Sequence, residues 1–297
     1  MTIKNEVKAV GIGLHSGKPV TMKLKPAMPN SGIVFVRTDL NGALVKADMK
    51  HIDFAALQLA TTLRDGEVVV QTTEHLLSAL YGMGVDNVTV ELDGPEVPIM
   101  DGSAAPFMVL LEEAGIKQQV APRKVLQIKK AFSFVKDGKM VAVKPGTGFQ
   151  IDYEIDFDHP MIGRQVKSVQ VDDRLYENEI APARTFGFLK DLTYLKSLGL
   201  IQGGSLDNAV VLDDERILNK SLRAKDEFVS HKILDMVGDL AVAGYRFEGH
   251  FSAAKAGHEM HALFLQALLA SPEHYRIIDA KACENAAAPR LKPVAVA

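Results

Sequence analysis

The pattern of apolar and polar residues in the first third of the chain predicts short strands followed by helices. Apolar and polar residues alternate from Val20 to Leu24, and turn residues separate this stretch from the next apolar runs. Leucines at helical spacing follow, with Thr72 or Thr73 as the helix cap and Gly82 and Gly84 at its end. We predict strands at 20–24, 33–37, 68–70 and 87–92, and helices at 72–82 and 104–114.

A polar stretch containing Pro122, at 118–124, interrupts this pattern, and a similar order of elements follows it. The second half predicts strands at 125–128, 132–135, 140–143, 149–155 and 245–252, and helices around His231 and at 257–270. The repeated order predicts a weak internal duplication with the site between the halves. We therefore expect an α+β fold of two similar domains, 1–121 and 122–297, each a layer of mainly antiparallel strands packed on helices.

The helix from 230 to 240 carries the most informative pattern. His231, Asp235 and Asp239 follow one another at four-residue intervals, which places them within about 80° of each other around a helix. An imidazole and a carboxylate at this spacing can bind one small cation, provided that a third protein ligand is available. The alternative is a solvated polar stripe opposite an apolar face that packs on a sheet.

Two further histidines, His75 and His258, occur beside residues that suit hydrolytic chemistry. Glu74 directly precedes His75, and a carboxylate beside a ligand histidine recurs in zinc hydrolases, although the helix dipole also favours acidic residues in a first turn. His258 follows Gly257 at the start of the last helix, where Asp239 could accept a proton from its ring and stabilise the cation. We expect the remaining histidines to be at the surface or partly packed: His15, His51, His159, His250, His261 and His274.

Composition narrows the class of protein. A formal net charge of -3 with 24% charged residues gives no basic surplus for binding nucleic acid. The single Cys283 excludes intrachain disulfides and cysteine metal clusters, and it fits a reducing compartment. The N-terminal residues contain no apolar run typical of a signal peptide, and the apolar run at 262–270 is shorter than the ~20 residues that span a bilayer. We expect a cytoplasmic protein without stable membrane insertion.

Six segments together resemble those of one enzyme family. They begin with the glycine-rich stretch G-I-G-L-H-S-G at 11–17 and T-E-H-L at 73–76, and continue at 98–107, 183–188, 231–239 and 255–258. In this order they resemble the UDP-3-O-acyl-N-acetylglucosamine deacetylases, zinc enzymes that commit sugar nucleotides to lipid A biosynthesis. The resemblance covers the whole chain and implies a metal-dependent amidohydrolase that releases acetate from this small-molecule substrate and acts as a monomer.

The resemblance also implies roles for individual residues. The implied metal ligands are His75, His231 and Asp235, with zinc as the metal, although two histidines and one aspartate also suit Fe²⁺. Glu74 is the implied general base and His258 the general acid, held by Asp239. The other implied site residues are Thr185 at the oxyanion, Lys232 near metal and substrate, Phe186, Phe188, Gly204 and Ser205 along the acyl chain, and Phe157 at the uracil.

Two other functions remain open at this point. A non-catalytic binding protein with the same fold would be expected to lack Glu74 or His258, yet the chain has both. A zinc amidohydrolase for another acylated amine, such as a peptide or a polyamine, would share the metal site, so only the acyl-chain segments and Phe157 argue against it. Competition by UDP would distinguish it from the deacetylase. The apolar residues at 186–201 also suit a buried core.

Overall fold

The computed structural model describes residues 1–280, and in this range the chain forms six α-helices and eighteen strands. The helices are α1 (Glu74–Gly82), α2 (Ala105–Ala114), α3 (Asp173–Leu175), α4 (Leu189–Ser197), α5 (Glu227–Ala241) and α6 (His258–Leu269). The strands are β1 (Thr2–Ile3), β2 (Val7–Ile12), β3 (Pro19–Pro26), β4 (Ile33–Arg37), β5 (Ala43–Lys46), β6 (Leu63–Asp65), β7 (Val68–Val70), β8 (Val88–Leu92), β9 (Ile116–Lys117), β10 (Lys124–Ile128), β11 (Phe132–Lys136), β12 (Lys139–Lys144), β13 (Phe149–Phe157), β14 (Gly163–Gln170), β15 (Phe186–Phe188), β16 (Val210–Leu212), β17 (Arg246–Ala254) and β18 (Tyr275–Asp279). The predicted α+β class is confirmed.

The N-terminal sheet has five strands in the order β2-β3-β8-β4-β5. All of its pairs are antiparallel except β4 with β8. Along β3 the side chains of Val20, Met22 and Leu24 are buried and their neighbours are more exposed, which confirms the predicted alternation. One face of this sheet therefore contributes to the hydrophobic core.

The C-terminal sheet has seven strands arranged around β17. One side of β17 pairs first with β10 in parallel and then with β12 in antiparallel orientation, and its other side pairs in parallel with β13. Strand β14 extends the sheet beyond β13, and β18 pairs with β10. The predicted strands of this half are present with small shifts at their ends, whereas β14 and β18 were not predicted.

The two principal helices, α1 and α5, pack directly against each other. Gly238 permits this contact, because a Cβ atom at that position would lie 2.0 Å from the backbone oxygen of Glu74. Helix α5 also packs on α6, β13 and β14, so fourteen of its fifteen residues are buried. The alternative of a solvated polar stripe on this helix is therefore wrong.

The predicted boundary at 118–124 falls between the two sheets. Strand β9 still pairs with β1, whereas β10 pairs within the C-terminal sheet. The division into two domains stays a prediction. The end of the predicted second domain, which includes Cys283, lies outside the described residues. Within 1–280, the structure has no helix that is both long and apolar enough to cross a bilayer.

Candidate active site

Helices α1 and α5 bring three predicted metal ligands together in the buried interior. Oδ1 of Asp235 lies 3.3 Å from Nε2 of His231 and 3.6 Å from Nε2 of His75. The three side chains are at most 4% exposed. His231 and Asp235 are one turn apart on α5, and the packing of α1 on α5 adds His75 from the other half of the chain.

The unsatisfied atoms of this trio fit a divalent cation. Oδ1 of Asp235 is buried and has no hydrogen-bond partner among the described residues, although two ring nitrogens face it. A buried carboxylate oxygen without a partner is costly, and a cation shared with the two nitrogens would remove that cost. Two imidazoles and one carboxylate are a donor set that binds zinc in catalytic sites.

The protonation of His231 suits a metal ligand. Burial lowers the pKa of its imidazole to about 3, and the nearby Asp235 offsets this only in part, so the ring is neutral at physiological pH. Its Nδ1 lies 3.0 Å from the backbone oxygen of Ala183, to which a proton on Nδ1 would be donated. This contact would direct Nε2, with its free lone pair, toward Asp235 and His75.

Lys232 supports the charge of Asp235 from the rim of the site. Its ammonium donates a hydrogen bond of 2.8 Å to Oδ2 of Asp235, the oxygen that does not face the two histidines. Burial alone would lower the pKa of Lys232, but Asp235 outweighs burial and raises it, so the lysine stays cationic. The same interaction helps to hold the pKa of Asp235 well below its usual value, despite burial.

Glu74 lies beside the trio at the start of α1. Its side chain is 3% exposed, and Oε2 accepts a hydrogen bond of 2.9 Å from the backbone N–H of Thr61. Burial raises the pKa of this carboxyl, and His258 and His75 counteract the increase only in part. A carboxylate with a raised pKa is a stronger base than an exposed glutamate.

His258 forms a buried ion pair with Asp239. Its Nδ1 lies 2.8 Å from Oδ2 of Asp239, and its Nε2 lies 4.0 Å from Oδ2 of Asp235. Burial would lower the pKa of His258, but the two carboxylates outweigh it and raise the pKa to about 9. The imidazole is therefore protonated at neutral pH and can act as an acid.

Three predicted substrate-contacting residues form one aromatic cluster beside the trio. The ring of Phe157 lies 5.5 Å from that of Phe186 and 6.0 Å from that of Phe188. Phe186 lies 6.4 Å from the ring of His231, and the ammonium of Lys232 lies 5.6 Å from the centre of its ring. The residue predicted at the uracil is thus in contact with those predicted along the acyl chain.

The other predicted residues lie on two loops. The backbone N–H of Thr185 donates to the backbone oxygen of Gly102. Thr185 lies two residues after Ala183, whose carbonyl faces His231. Gly204 and Ser205 follow Gly203, which bonds to the backbone of the glycine-rich stretch at 11–17. Their described contacts are with that stretch and with their own loop, and they include neither the trio nor the aromatic cluster.

Comparison with known proteins places these residues in a family. The family model described as LpxC, UDP-3-O-acyl N-acetylglycosamine deacetylase, matches residues 1–270. The chain belongs to this deacetylase family.

Relatives that carry the name UDP-3-O-acyl-N-acetylglucosamine deacetylase align over almost their full length. The protein of Haemophilus influenzae (strain PittGG) is 47% identical over 99% of this chain and 98% of its own. That of Acidithiobacillus ferrooxidans is 47% identical over 94% and 92%, and that of Syntrophus aciditrophicus is 43% identical over 96% and 90%. Family membership thus rests on almost the whole chain and not on the trio of His75, His231 and Asp235 alone.

Sequence reasoning missed Thr61, which connects Glu74 to Asp239, the hydrogen-bond partner of His258. Its N–H donates to Glu74, its hydroxyl donates to Oδ1 of Asp239 at 2.5 Å, and its carbonyl accepts from Thr73. It also missed Glu96, whose carboxylate accepts from the backbone of His15 at 2.7 Å. Neither residue lies in a recognisable spacing, because each acts through contacts between distant segments.

The expectation for three histidines was wrong. His15, His159 and His261 are buried, at 5%, 7% and 0% exposure, whereas the other three are partly exposed as expected. The stretch around His261 contains aromatic and aliphatic residues at helical spacing, so a buried imidazole there needs polar partners that sequence alone does not identify. Those partners are Asp239 and Tyr153.

Proposed function

We propose that this chain hydrolyses the N-acetyl amide of UDP-3-O-acyl-N-acetylglucosamine and releases acetate, the committed step of lipid A biosynthesis. The near full-length relatives that carry this activity in their names support the substrate. The observation that carries the proposed chemistry is one buried cluster in which Glu74 and a protonated His258 adjoin the trio of His75, His231 and Asp235.

The cation that we propose for the trio is zinc. His75, His231 and Asp235 would hold it, and Lys232 and the backbone oxygen of Ala183 would orient two of these ligands. A bound zinc ion supplies a Lewis acid that polarises a carbonyl and lowers the pKa of water. Metal analysis of protein purified with and without oxygen would distinguish zinc from Fe²⁺, which the same donors accept.

Glu74 is proposed as the general base. Its carboxylate would take a proton from the water that attacks the acetamide carbonyl. Its raised pKa makes it a stronger base for this proton transfer. The N–H of Thr61 fixes one oxygen of this carboxylate, leaving the other oxygen to accept the proton. Burial of the site excludes bulk water, which would otherwise compete as a proton acceptor.

His258 is proposed as the general acid. An amine is a poor leaving group, so collapse of the tetrahedral intermediate requires a proton on nitrogen. With a pKa of about 9, His258 holds that proton at neutral pH, and Asp239 stabilises the cation until the proton is transferred. We also propose that the Thr185 hydroxyl faces the developing oxyanion and that the Lys232 ammonium lies near the metal and the substrate.

Substrate contacts are proposed for the aromatic cluster and for the loop that carries Gly204 and Ser205. Phe186, Phe188, Gly204 and Ser205 would line the passage for the acyl chain, and Phe157 would meet the uracil. The contacts among Phe157, Phe186 and Phe188 support one continuous apolar surface next to the trio. Because all of these groups come from one chain, we propose that a monomer is active, which light scattering at assay concentration would test.

The substrate assignment can be tested by competition. Purified protein should release acetate from UDP-3-O-acyl-N-acetylglucosamine, and UDP should inhibit the release competitively. Acetylated peptides and polyamines serve as controls for the alternative amidohydrolase function. Turnover of such an amide with indifference to UDP would replace the proposed substrate, while the proposed metal site would be retained.

A further inference from the structure

A second imidazole binds the carboxylate that holds the proposed general acid. Nδ1 of His261 lies 2.7 Å from Oδ2 of Asp239, the same oxygen that Nδ1 of His258 approaches at 2.8 Å. Oδ1 of Asp239 accepts from the hydroxyl of Thr61. His261 is one turn after His258 on α6 and is completely buried.

The hydrogen-bonding capacities fix which atoms of His261 carry protons. An ionised carboxylate only accepts, so the Nδ1 atoms of both histidines must donate to Asp239. Burial would raise the pKa of Asp239, but His258 outweighs burial and lowers it, which keeps the carboxylate ionised. His261 therefore has a proton on Nδ1 whether its ring is neutral or cationic.

Tyr153 completes the arrangement from strand β13. Its buried hydroxyl lies 3.0 Å from Nε2 of His261 and 3.0 Å from the backbone oxygen of Ala256. With the hydroxyl donating to Nε2, His261 is neutral; with the hydroxyl donating to Ala256, Nε2 donates as well and the ring is cationic. The bond from Nδ1 to Asp239 is the same in both arrangements.

This geometry determines the orientation of Asp239. Without His261, one bond to each oxygen of Asp239 would remain, so two donors in place of three would oppose rotation about the Cβ–Cγ bond. Rotation would move Oδ2 away from the His258 ring. The second bond to Oδ2 opposes that rotation and preserves the direction in which Nε2 of His258 presents its proton.

We propose that His261 is a positioning residue that acts through Asp239 to align the His258 proton with the amine leaving group. This inference rests on the proposed function, since it assigns His258 as the acid of that reaction. His261 is itself separated from the reacting atoms by Asp239 and His258. It belongs to neither the three proposed metal ligands nor their hydrogen-bond partners.

The test compares two substitutions that differ in one donor. His261→Asn retains an N–H donor on the δ atom, whereas His261→Leu removes it. In metal-loaded protein we expect His261→Leu to lower kcat about 10-fold, within the range for loss of an outer hydrogen-bond partner. KM and metal content should be unchanged, and His261→Asn should restore kcat to within about threefold of the unsubstituted protein.

A double-mutant cycle shows whether the effect passes through Asp239. In an Asp239→Asn background, adding His261→Leu should cost no further activity, because the positioned carboxylate is already absent. Tyr176→Phe is a matched control for loss of a buried hydrogen bond, since its hydroxyl bonds to Ser78 and not to Asp239. Equal losses from His261→Leu in both backgrounds, or no advantage of asparagine over leucine, would overturn the proposal.

Nitrogen-15 NMR of histidine-labelled, unsubstituted protein tests the same proposal without activity or altered folding. We expect protons on Nδ1 of both His258 and His261. A His261 ring protonated only on Nε2 could not donate to Asp239 and would overturn the inference. Acetate release by the same protein tests the proposed reaction separately. A failure of the proposed reaction can therefore be distinguished from a failure of the inference about His261.

Discussion

The protonation states of single residues determine which groups of this site can accept a proton and which can donate one. The pKa values of Glu74 and His258 are both raised, but for different reasons and with opposite consequences. Burial makes Glu74 a stronger base, while two carboxylates keep His258 protonated despite its burial. Environments that separate the roles of two titratable groups in this way are typical of acid–base catalysis.

Glu74→Gln should separate catalysis from metal binding. The amide keeps the shape of the side chain and can still accept from Thr61, but it cannot take a proton at neutral pH. We expect kcat to fall by about 100-fold or more, with metal content unchanged. Steady-state assays with metal analysis of the same preparation would measure both, and near-native turnover would remove Glu74 from the role of base.

Asp239→Asn should change the pH profile on its alkaline side. The pKa of His258 is raised to about 9, so its acid function is present below that pH and is lost as pH rises through it. Without the carboxylate, we expect the alkaline limb of kcat/KM to move to lower pH by about one unit or more. An unmoved limb would show that a different group controls it.

Most of the contacts that could be predicted from the residues themselves have a local spacing; the contact of His258 with Asp239, 19 residues apart, is the exception. His231 and Asp235 are one turn apart, and Glu74 adjoins His75, so each pair could be recognised in isolation. Thr61 and His261 act across 178 and 22 residues of sequence, respectively, to reach Asp239. Such contacts depend on tertiary packing, which has no signature in local periodicity.

At the scale of elements, the site depends on how closely α1 and α5 approach. Replacing glycine by alanine inside a helix ordinarily stabilises it by about 1 kcal/mol. At Gly238 the added Cβ would lie 2.0 Å from the Glu74 carbonyl oxygen, so the helices would have to separate. This contact ties the helix that carries Glu74 and His75 to the helix that carries His231 and Asp235.

Gly238→Ala should therefore lower the free energy of unfolding by about 1–3 kcal/mol and weaken metal binding. Urea denaturation and metal titration would measure the two effects. Gly187→Ala is the matched control, because no atom lies within 4 Å of its added Cβ. A Gly238→Ala protein as stable as the control would contradict the proposed importance of this close approach.

Elements with a clear apolar face were predicted, and those without one were missed. The buried alternation of β3 and the apolar spacing of α1 are visible in sequence. Helix α4 has no buried residue. Burial alternates along β14, but Gln165 and Lys167 occupy less exposed positions, so the sequence shows no alternation of apolar and polar residues there. These elements depend on pairing and on connections made elsewhere in the fold.

At the scale of the whole molecule, Asp86 joins the two halves of the chain. Its carboxylate accepts from Arg123, just before the C-terminal sheet, at 3.0 Å and from Arg246, at the start of β17, at 3.1 Å. Burial would raise its pKa, but the two arginines outweigh burial and lower it. Its stabilising effect is therefore present above the ordinary pKa of 3.8 and is lost as pH falls through the lower folded-state value.

Asp86→Asn should lower the free energy of unfolding at pH 7 by about 2 kcal/mol, because two arginines lose a partly buried partner. The difference from the unsubstituted protein should shrink below about pH 4. Urea denaturation at both pH values would test this. Glu154→Gln, which breaks a pair with the exposed Arg164, should cost much less, and equal costs would contradict a special role for Asp86.

The central claim is that a cation held between α1 and α5 is required for release of acetate. The most direct measurement is acetate release from UDP-3-O-acyl-N-acetylglucosamine after chelation with dipicolinate and again after addition of substoichiometric zinc. We predict that activity disappears with the metal and returns in proportion to the zinc bound. Full activity in protein shown to be metal-free, or no release by protein with one zinc per chain, would contradict this account.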